Sequence, residues 1–209
     1  MNQNFEELCH RMVEEQLKTR NIKSNAVLEA MRKVPRHLFV PGNMQRNAYD
    51  DSPLPIGLNQ TISQPYIVAF MTEQLDPVPG MKILEIGTGC GYQAAILASL
   101  RCEVFSIEVL HELTVGARMN LAALNFNNVT VKNANGYSGW PEESPFDAVI
   151  VTAAPEKIPL KLIEQLKEGG KMIVPVGKVN SVQYLKLITK KDQKIIEKDL
   201  LPVRFVPMV

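Results

Sequence analysis

The run Leu84-Glu85-Ile86-Gly87-Thr88-Gly89-Cys90-Gly91-Tyr92 constrains this chain more than any other part of it. A short apolar strand, Lys82–Ile86, leads into a glycine-rich turn, and a helix is expected over Tyr92–Leu100. Such turns sit at the carboxyl ends of strands in open α/β sheets, where glycine lets backbone N–H groups come close to a ligand. The dinucleotide pattern G-x-G-x-x-G is not met. Gly87 and Gly89 fit it, but Tyr92 holds the sixth place and the third glycine falls at Gly91. A G-x-G-x-G turn, with no pyrophosphate to hold, suits a nucleoside carrying an amino-acid tail. Glu85, just before the turn, is a candidate for the ammonium group of that tail.

The segments that follow supply the context. Strands are expected at Glu103–Ile107, Val129–Lys132, Ala148–Val151 and Met172–Val176, with helices at Glu112–Leu124 and Leu160–Leu166 between them. This alternation predicts an α/β fold, a doubly wound and mostly parallel sheet with helices on both faces. Gln183–Thr189 and Ile195–Phe205 flank the polar turn Lys190–Lys194 and predict a closing antiparallel hairpin. Glu108 ends the second strand roughly 20 residues after the glycine turn, where an acid can accept both ribose hydroxyls. Its competing role is to cap the next helix. Asn135-Gly136, after the third strand, could read an adenine edge or simply make a turn.

The N-terminal part has a different rhythm. Phe5, Leu8, Cys9, Met12, Val13 and Leu17 lie on one helical stripe, and Ser24 can cap a second helix that Pro35 ends. With no strand between them, these helices read as an addition packed on the main domain. From Pro41 to Pro65 no period is visible, and a loop of that length is usually functional. The chain is expected to form one domain over 1–209. Residues 1–40 give the helices, 41–80 the active-site loop with its lead-in helix, and 81–209 the cofactor-binding core and hairpin.

Whole-chain properties exclude several classes of function. The formal charge is +1, so no overall field draws the protein to nucleic acid. The lysines near Lys190 read as a solvated hairpin tip. Met1–Glu7 has no signal pattern, and no apolar run reaches the roughly 20 residues that span a bilayer. Cys9, Cys90 and Cys102 lack paired spacing, which fits a reducing, cytoplasmic setting. His10, His37 and His111 are too far apart to suggest a metal site. Trp140 could stack on a ligand or belong to the core.

The segment Ala48-Tyr49-Asp50-Asp51-Ser52-Pro53-Leu54-Pro55-Ile56-Gly57 is followed by Gln60-Thr61-Ile62-Ser63-Gln64-Pro65. Taken with the glycine turn, it resembles the protein-L-isoaspartate O-methyltransferase family. Pro35–Pro41, Gly139-Trp140-Pro141, Thr152-Ala153-Ala154-Pro155 and Arg204-Phe205-Val206-Pro207 extend the resemblance over nearly the whole chain. It implies S-adenosyl-L-methionine as cofactor and isoaspartyl proteins and peptides as substrate, with no nucleic-acid, membrane or metal partner and a monomeric state. Ser63 would be catalytic. Gln60, Thr61, Ile62, Ser63, Glu85, Gly87, Gly89, Glu108, Asn135 and Gly136 would hold the cofactor, and Ile62, Ser63 and Val206 the substrate. The chain departs from the family at Asn135, where Asp is usual, and at Cys90, where Ser is usual.

The implied chemistry agrees with what the loop lacks. A carboxylate of pKa roughly 3.3–3.9 is ionised at neutral pH and attacks a sulfonium methyl without a general base. Pro41–Pro65 accordingly has no nucleophile–base constellation. Ser63 could donate to the carboxylate or cap the helix that Pro65 begins. Methyltransferases of another substrate class, or a non-catalytic cofactor-binding module, would share the glycine turn and Glu108. Amino-directed nucleic-acid enzymes would need an amide or acid where Thr152-Ala153-Ala154-Pro155 stands.

Overall fold

The computed structural model describes residues 4–179, 181–192 and 194–209. The N-terminal stripe forms one continuous rod. It is α-helical over Phe5–Arg11 (α1), π-helical over Met12–Leu17 and 3-10 over Lys18–Arg20. Ser24 caps α2, Asn25–Lys33, by accepting the Val27 N–H at 3.3 Å, and Val34 leaves the helix in extended conformation before Pro35. These helices pack on the main domain as expected. Met12, Val13, Leu17, Val27 and Met31 are buried in the same apolar cluster as Ile83, Val104 and Ile150 of the central sheet.

The Pro41–Pro65 stretch carries more structure than its composition suggests. Gly42–Asn47 is a 3-10 turn, and Leu54–Gly57 (β1) pairs antiparallel with Gln60–Ile62 (β2). The tip of this hairpin has positive φ at Gly57, Leu58 and Asn59. Strands of three and four residues are too short to show an alternating pattern. Pro55 is tolerated because a two-stranded ribbon has only edges. The hairpin delivers Ser63 to α3, Pro65–Leu75, whose N-cap is Gln64 without a side-chain capping bond. Ser63 is therefore not the cap.

The α/β core then proceeds through β3 (Lys82–Ile86), α4 (Tyr92–Ser99), β4 (Glu103–Glu108), α5 (His111–Ala123) and β5 (Val129–Asn133). It continues with β6 (Phe146–Val151), α6 (Leu160–Glu164), β7 (Leu166–Val176), β8 (Gln183–Lys191) and β9 (Lys194–Val203). The sheet order is β5-β4-β3-β6-β7-β8-β9, parallel from β5 to β7 and antiparallel for the last two strands. Helix α6 stops short of Leu166 because that residue already pairs with Phe146. The lysine-bearing turn is a hairpin tip, and Lys190 Nζ donates to the Leu166 carbonyl at 2.8 Å; Gln193 of that turn lies outside the described residues.

Connectivity places the site. The chain leaves β3 for β4 and β5 on one side, then returns to β3's other side as β6. That reversal opens a crevice beyond the carboxyl ends of these strands, the usual ligand position in open sheets. Trp140 lies away from it, edge-on to Phe105 at 5.4 Å with Lys132 Nζ 4.8 Å from its ring centroid. Its role is packing.

Candidate active site

The glycine turn is held tightly on three sides. Gly87 has φ +94°, and a Cβ there would lie 2.5 Å from Thr152 Oγ1. Thr152 in turn donates its hydroxyl to the carbonyls of Gly87 (2.6 Å) and Ile86 (3.0 Å). The N–H groups of Gly87 and Thr88 both donate to Ile107 of β4. Gly91, at φ +92°, lets α4 start against Leu121 of α5, 3.2 Å from where its Cβ would stand. A side chain at either glycine would push the turn off the strands.

Glu85 braces the turn from beneath. It is fully buried, and Ser106 donates a short hydrogen bond to its Oε2, while Ser106 and Thr88 hydroxyls lie 2.5 Å apart. Burial pushes the Glu85 carboxyl up to about 8; the Ser106 hydroxyl opposes the shift, and the Glu108 charge adds to it. Oε1 has no partner among the described residues. Glu85 does not line the ligand crevice, so the structure places it behind the turn.

Glu108 reaches the crevice itself. Its Oε2 accepts the Gly89 N–H at 2.9 Å and its Oε1 the Leu110 N–H at 3.0 Å. The carboxylate ties the glycine turn to the start of α5 and still forms part of the crevice wall. Gly136 is on the same wall, close against Ile86 and Met208, where a Cβ would collide with Ile86. Asn135 is exposed and outside the lining; its Oδ1 accepts the Tyr137 N–H at 2.9 Å and closes a 3-10 turn. The turn reading of Asn135-Gly136 fits its side chain, and only Gly136 meets the ligand space.

Three hollows adjoin along the crevice. The first is lined by Gln60, Thr61, Gly87, Gly89, Glu108, Gly136 and Val206, among others. The second lies over the turn and reaches Ile62, Ser63, Thr88 and Gln93. The third, about 470 Å³, lies between Ser63, Gln64 and Ile67 on one side and Val203–Val206 on the other. Thr61 and Thr152 border all three, and Ser63 borders the second and third. The Ser63 hydroxyl makes no hydrogen bond among the described residues, so it is free to donate to a ligand.

The chain's last segment completes the wall. Ala154 N–H donates to the Val206 carbonyl at 2.8 Å, and Met208 N–H to the Ala154 carbonyl at 2.9 Å. Gln183 grips Phe205 through both its N–H (2.6 Å) and its carbonyl (3.2 Å). Sequence reasoning missed Thr152, Met208 and the buried Arg36 that holds the Ser63 carbonyl. For Thr152 a signal existed, since it directly follows the strand on the far side of the switch point. Arg36 had no physical signal of its own and was singled out only within the Pro35–Pro41 segment of the family resemblance.

The residues fit S-adenosylmethionine. No lysine or arginine lines the first two hollows, which disfavours a pyrophosphate, and Glu108 offers acceptors suited to ribose hydroxyls. Sheet order, glycine turn, terminal acid and crevice together define an S-adenosylmethionine-dependent methyltransferase.

The sequence profile of protein-L-isoaspartate(D-aspartate) O-methyltransferase (PCMT) matches residues 7–209, and the chain belongs to that family. A protein-L-isoaspartate O-methyltransferase of Opitutus terrae is 55% identical over 94% of this chain and 84% of its own length. A solved protein-L-isoaspartate O-methyltransferase superimposes with TM-score 0.85 at 31% identity, covering 97% of this chain and 65% of that one. A second, from Plasmodium falciparum and solved with S-adenosyl-L-homocysteine, has TM-score 0.84 at 27% identity and covers 99% of both chains.

Proposed function

We propose that this chain transfers the methyl group of S-adenosylmethionine to the free α-carboxylate of L-isoaspartyl residues in damaged proteins and peptides, the step that starts their repair. The observation that carries this reading is the meeting of cofactor and substrate hollows at Thr61, Ser63 and Thr152. Bound in the crevice, the cofactor supplies a methyl group already activated on a sulfonium. The protein's task is alignment and partial removal of water, which can supply roughly 7–11 kcal/mol.

Ser63 donates its hydroxyl to the substrate carboxylate, and Ile62 fixes the loop by its burial. Gln60 and Thr61 close over the cofactor from β2, Glu108 takes the ribose, and Gly87, Gly89 and Gly136 admit it at close range. Glu85 acts through the turn from below, and Asn135 through the backbone of Gly136. Val206 pins the substrate main chain through its N–H, since its carbonyl is already taken by Ala154. No base is needed, and none of the residues around Ser63 in the second and third hollows is a histidine, aspartate or glutamate.

The reading includes a monomeric, cytoplasmic enzyme built as one domain. All three cysteines are buried free thiols, and no helix among the described residues is long and apolar enough to cross a membrane. Incubation with methyl-labelled cofactor and an isoaspartyl peptide tests it. The label should appear as an alkali-labile ester in the peptide. No label, or an alkali-stable product, would overturn it.

A further inference from the structure

The third hollow carries one ionisable side chain. Of the ten residues that line it, Arg204 alone bears charge; the others are apolar, hydroxyl, amide or proline residues. Arg204 is exposed and makes no ion pair or hydrogen bond among the described residues. Asp51, which accepts from Gln64 of the hollow's lining at 2.8 Å, is paired with Arg20, and Asp199 and Glu197 of β9 share Lys186.

The position of Arg204 is fixed even though its side chain is free. It stands between the end of β9 at Val203 and Phe205, whose backbone Gln183 grips from both sides. An unpaired guanidinium is thus presented at a defined place beside the groove that leads to Ser63. Among the described residues nothing pairs with it, so complementarity is left to the bound chain.

We propose that Arg204 sets a substrate preference: isoaspartyl sites with an acidic side chain within two residues of the damaged position are methylated in preference to neutral or basic ones. The inference rests on the methyltransferase reading of the same site and adds the substrate's charge to it. An exposed contact of this kind shifts relative affinity by about 3- to 5-fold at low salt. The effect fades as ionic strength rises, because both charges face water.

The experiment compares kcat/KM for isoaspartyl peptides that differ only by Glu, Gln or Lys at one neighbouring position, tested on either side of the isoaspartate. The native enzyme should rank Glu above Gln above Lys. In Arg204→Gln the Glu-to-Lys ratio should fall to near one, and in Arg204→Glu it should invert. A flat ranking in the native enzyme, or an unchanged ratio in Arg204→Gln, would overturn the proposal. An equal loss on all three peptides in Arg204→Gln would also overturn it, because the guanidinium would then serve the reacting carboxylate. Absence of methylation on the Gln peptide by native enzyme would instead overturn the methyltransferase reading, and this inference with it.

Discussion

Arg36 and Ser63 are joined by a hydrogen bond, in which the fully buried guanidinium donates from Nη2 to the Ser63 carbonyl at 2.7 Å. Its Nε donates to the Ala48 carbonyl at 2.7 Å, and its Cζ lies 4.9 Å from the centre of the Tyr92 ring. Burial lowers the guanidinium's pKa from its ordinary value, and the Tyr92 hydroxyl partly opposes the shift. No carboxylate pairs with it among the described residues, and Nη1 has no partner. A buried charge without an opposite charge is costly, so the fold keeps it in exchange for a fixed Ser63 loop.

Replacing this clamp should cost turnover more than cofactor binding. Arg36→Met leaves the buried Ala48 carbonyl unpaired, worth about 1–3 kcal/mol, and frees the half-buried Ser63 carbonyl, though it also removes the buried charge. We expect kcat to fall about 10-fold or more and the urea midpoint to drop, with a smaller change in cofactor Kd. Arg36→Lys can reach one carbonyl but not both, so it should recover only part of kcat. Native kcat in Arg36→Met would show that the loop is held by other contacts.

Ser63→Ala removes one hydrogen bond to a charged group, which costs about 1.5–3 kcal/mol, or about 10- to 150-fold in turnover. Cofactor affinity should stay within a few-fold, since Glu108 and the glycine turn are untouched. Stability should also stay close to native, because the hydroxyl caps nothing in α3. Turnover equal to native would remove Ser63 from the mechanism.

Much of this site was legible because its parts follow one another along the chain. Strand, glycine turn and the acid ending the next strand lie within 30 residues, and each has a local physical signature. The β1–β2 hairpin was hidden, since strands this short do not alternate long enough to be seen. Glu85 was identified but its side was not; strand periodicity does not say whether a carboxylate beneath a turn meets ligand or serine. Arg36 and Met208 act through contacts with residues far away in sequence, and no local pattern reports those, whereas Thr152 is marked by its place directly after β6.

Glu85 should give the folded protein a distinct pH dependence. Its carboxyl is raised from 4.5 to about 8 by burial, so the folded state holds the proton more tightly than the unfolded chain does. The resulting stabilisation is complete below the unfolded value and is lost as pH rises through about 8. Glu85→Gln keeps the shape and stays neutral. Without cofactor, its urea midpoint should gain on the native protein's from pH 5 to pH 9. Midpoints that run parallel over that range would show that Glu85 ionises freely.

Asn135 departs from the family's usual aspartate, and from sequence alone a charged acceptor there would tighten adenine binding. The structure changes that expectation. The side chain is exposed and committed to the Tyr137 N–H, a bond that aspartate would also make. Asn135→Asp should therefore leave cofactor Kd within about 2-fold, less than one charged-for-neutral hydrogen bond. The same bond restrains the amide against attack by the Gly136 nitrogen. Peptide mapping after mild-alkaline ageing should show Asn135 deamidating more slowly than an Asn-Gly peptide, and an equal rate would mean that the turn opens readily.

The central claim is that this site selects the abnormal carboxylate. In an isoaspartyl residue the main chain runs through the side-chain carbon, and the α-carboxylate projects from it as a free group. A normal aspartate has its α-carbonyl tied up in the peptide bond and presents a differently placed acid. The direct measurement is methyl transfer to two peptides of identical sequence, one with isoaspartate and one with aspartate, at equal concentration. The account predicts base-labile labelling of the isoaspartyl peptide with almost none on its partner. Equal labelling of both would contradict it.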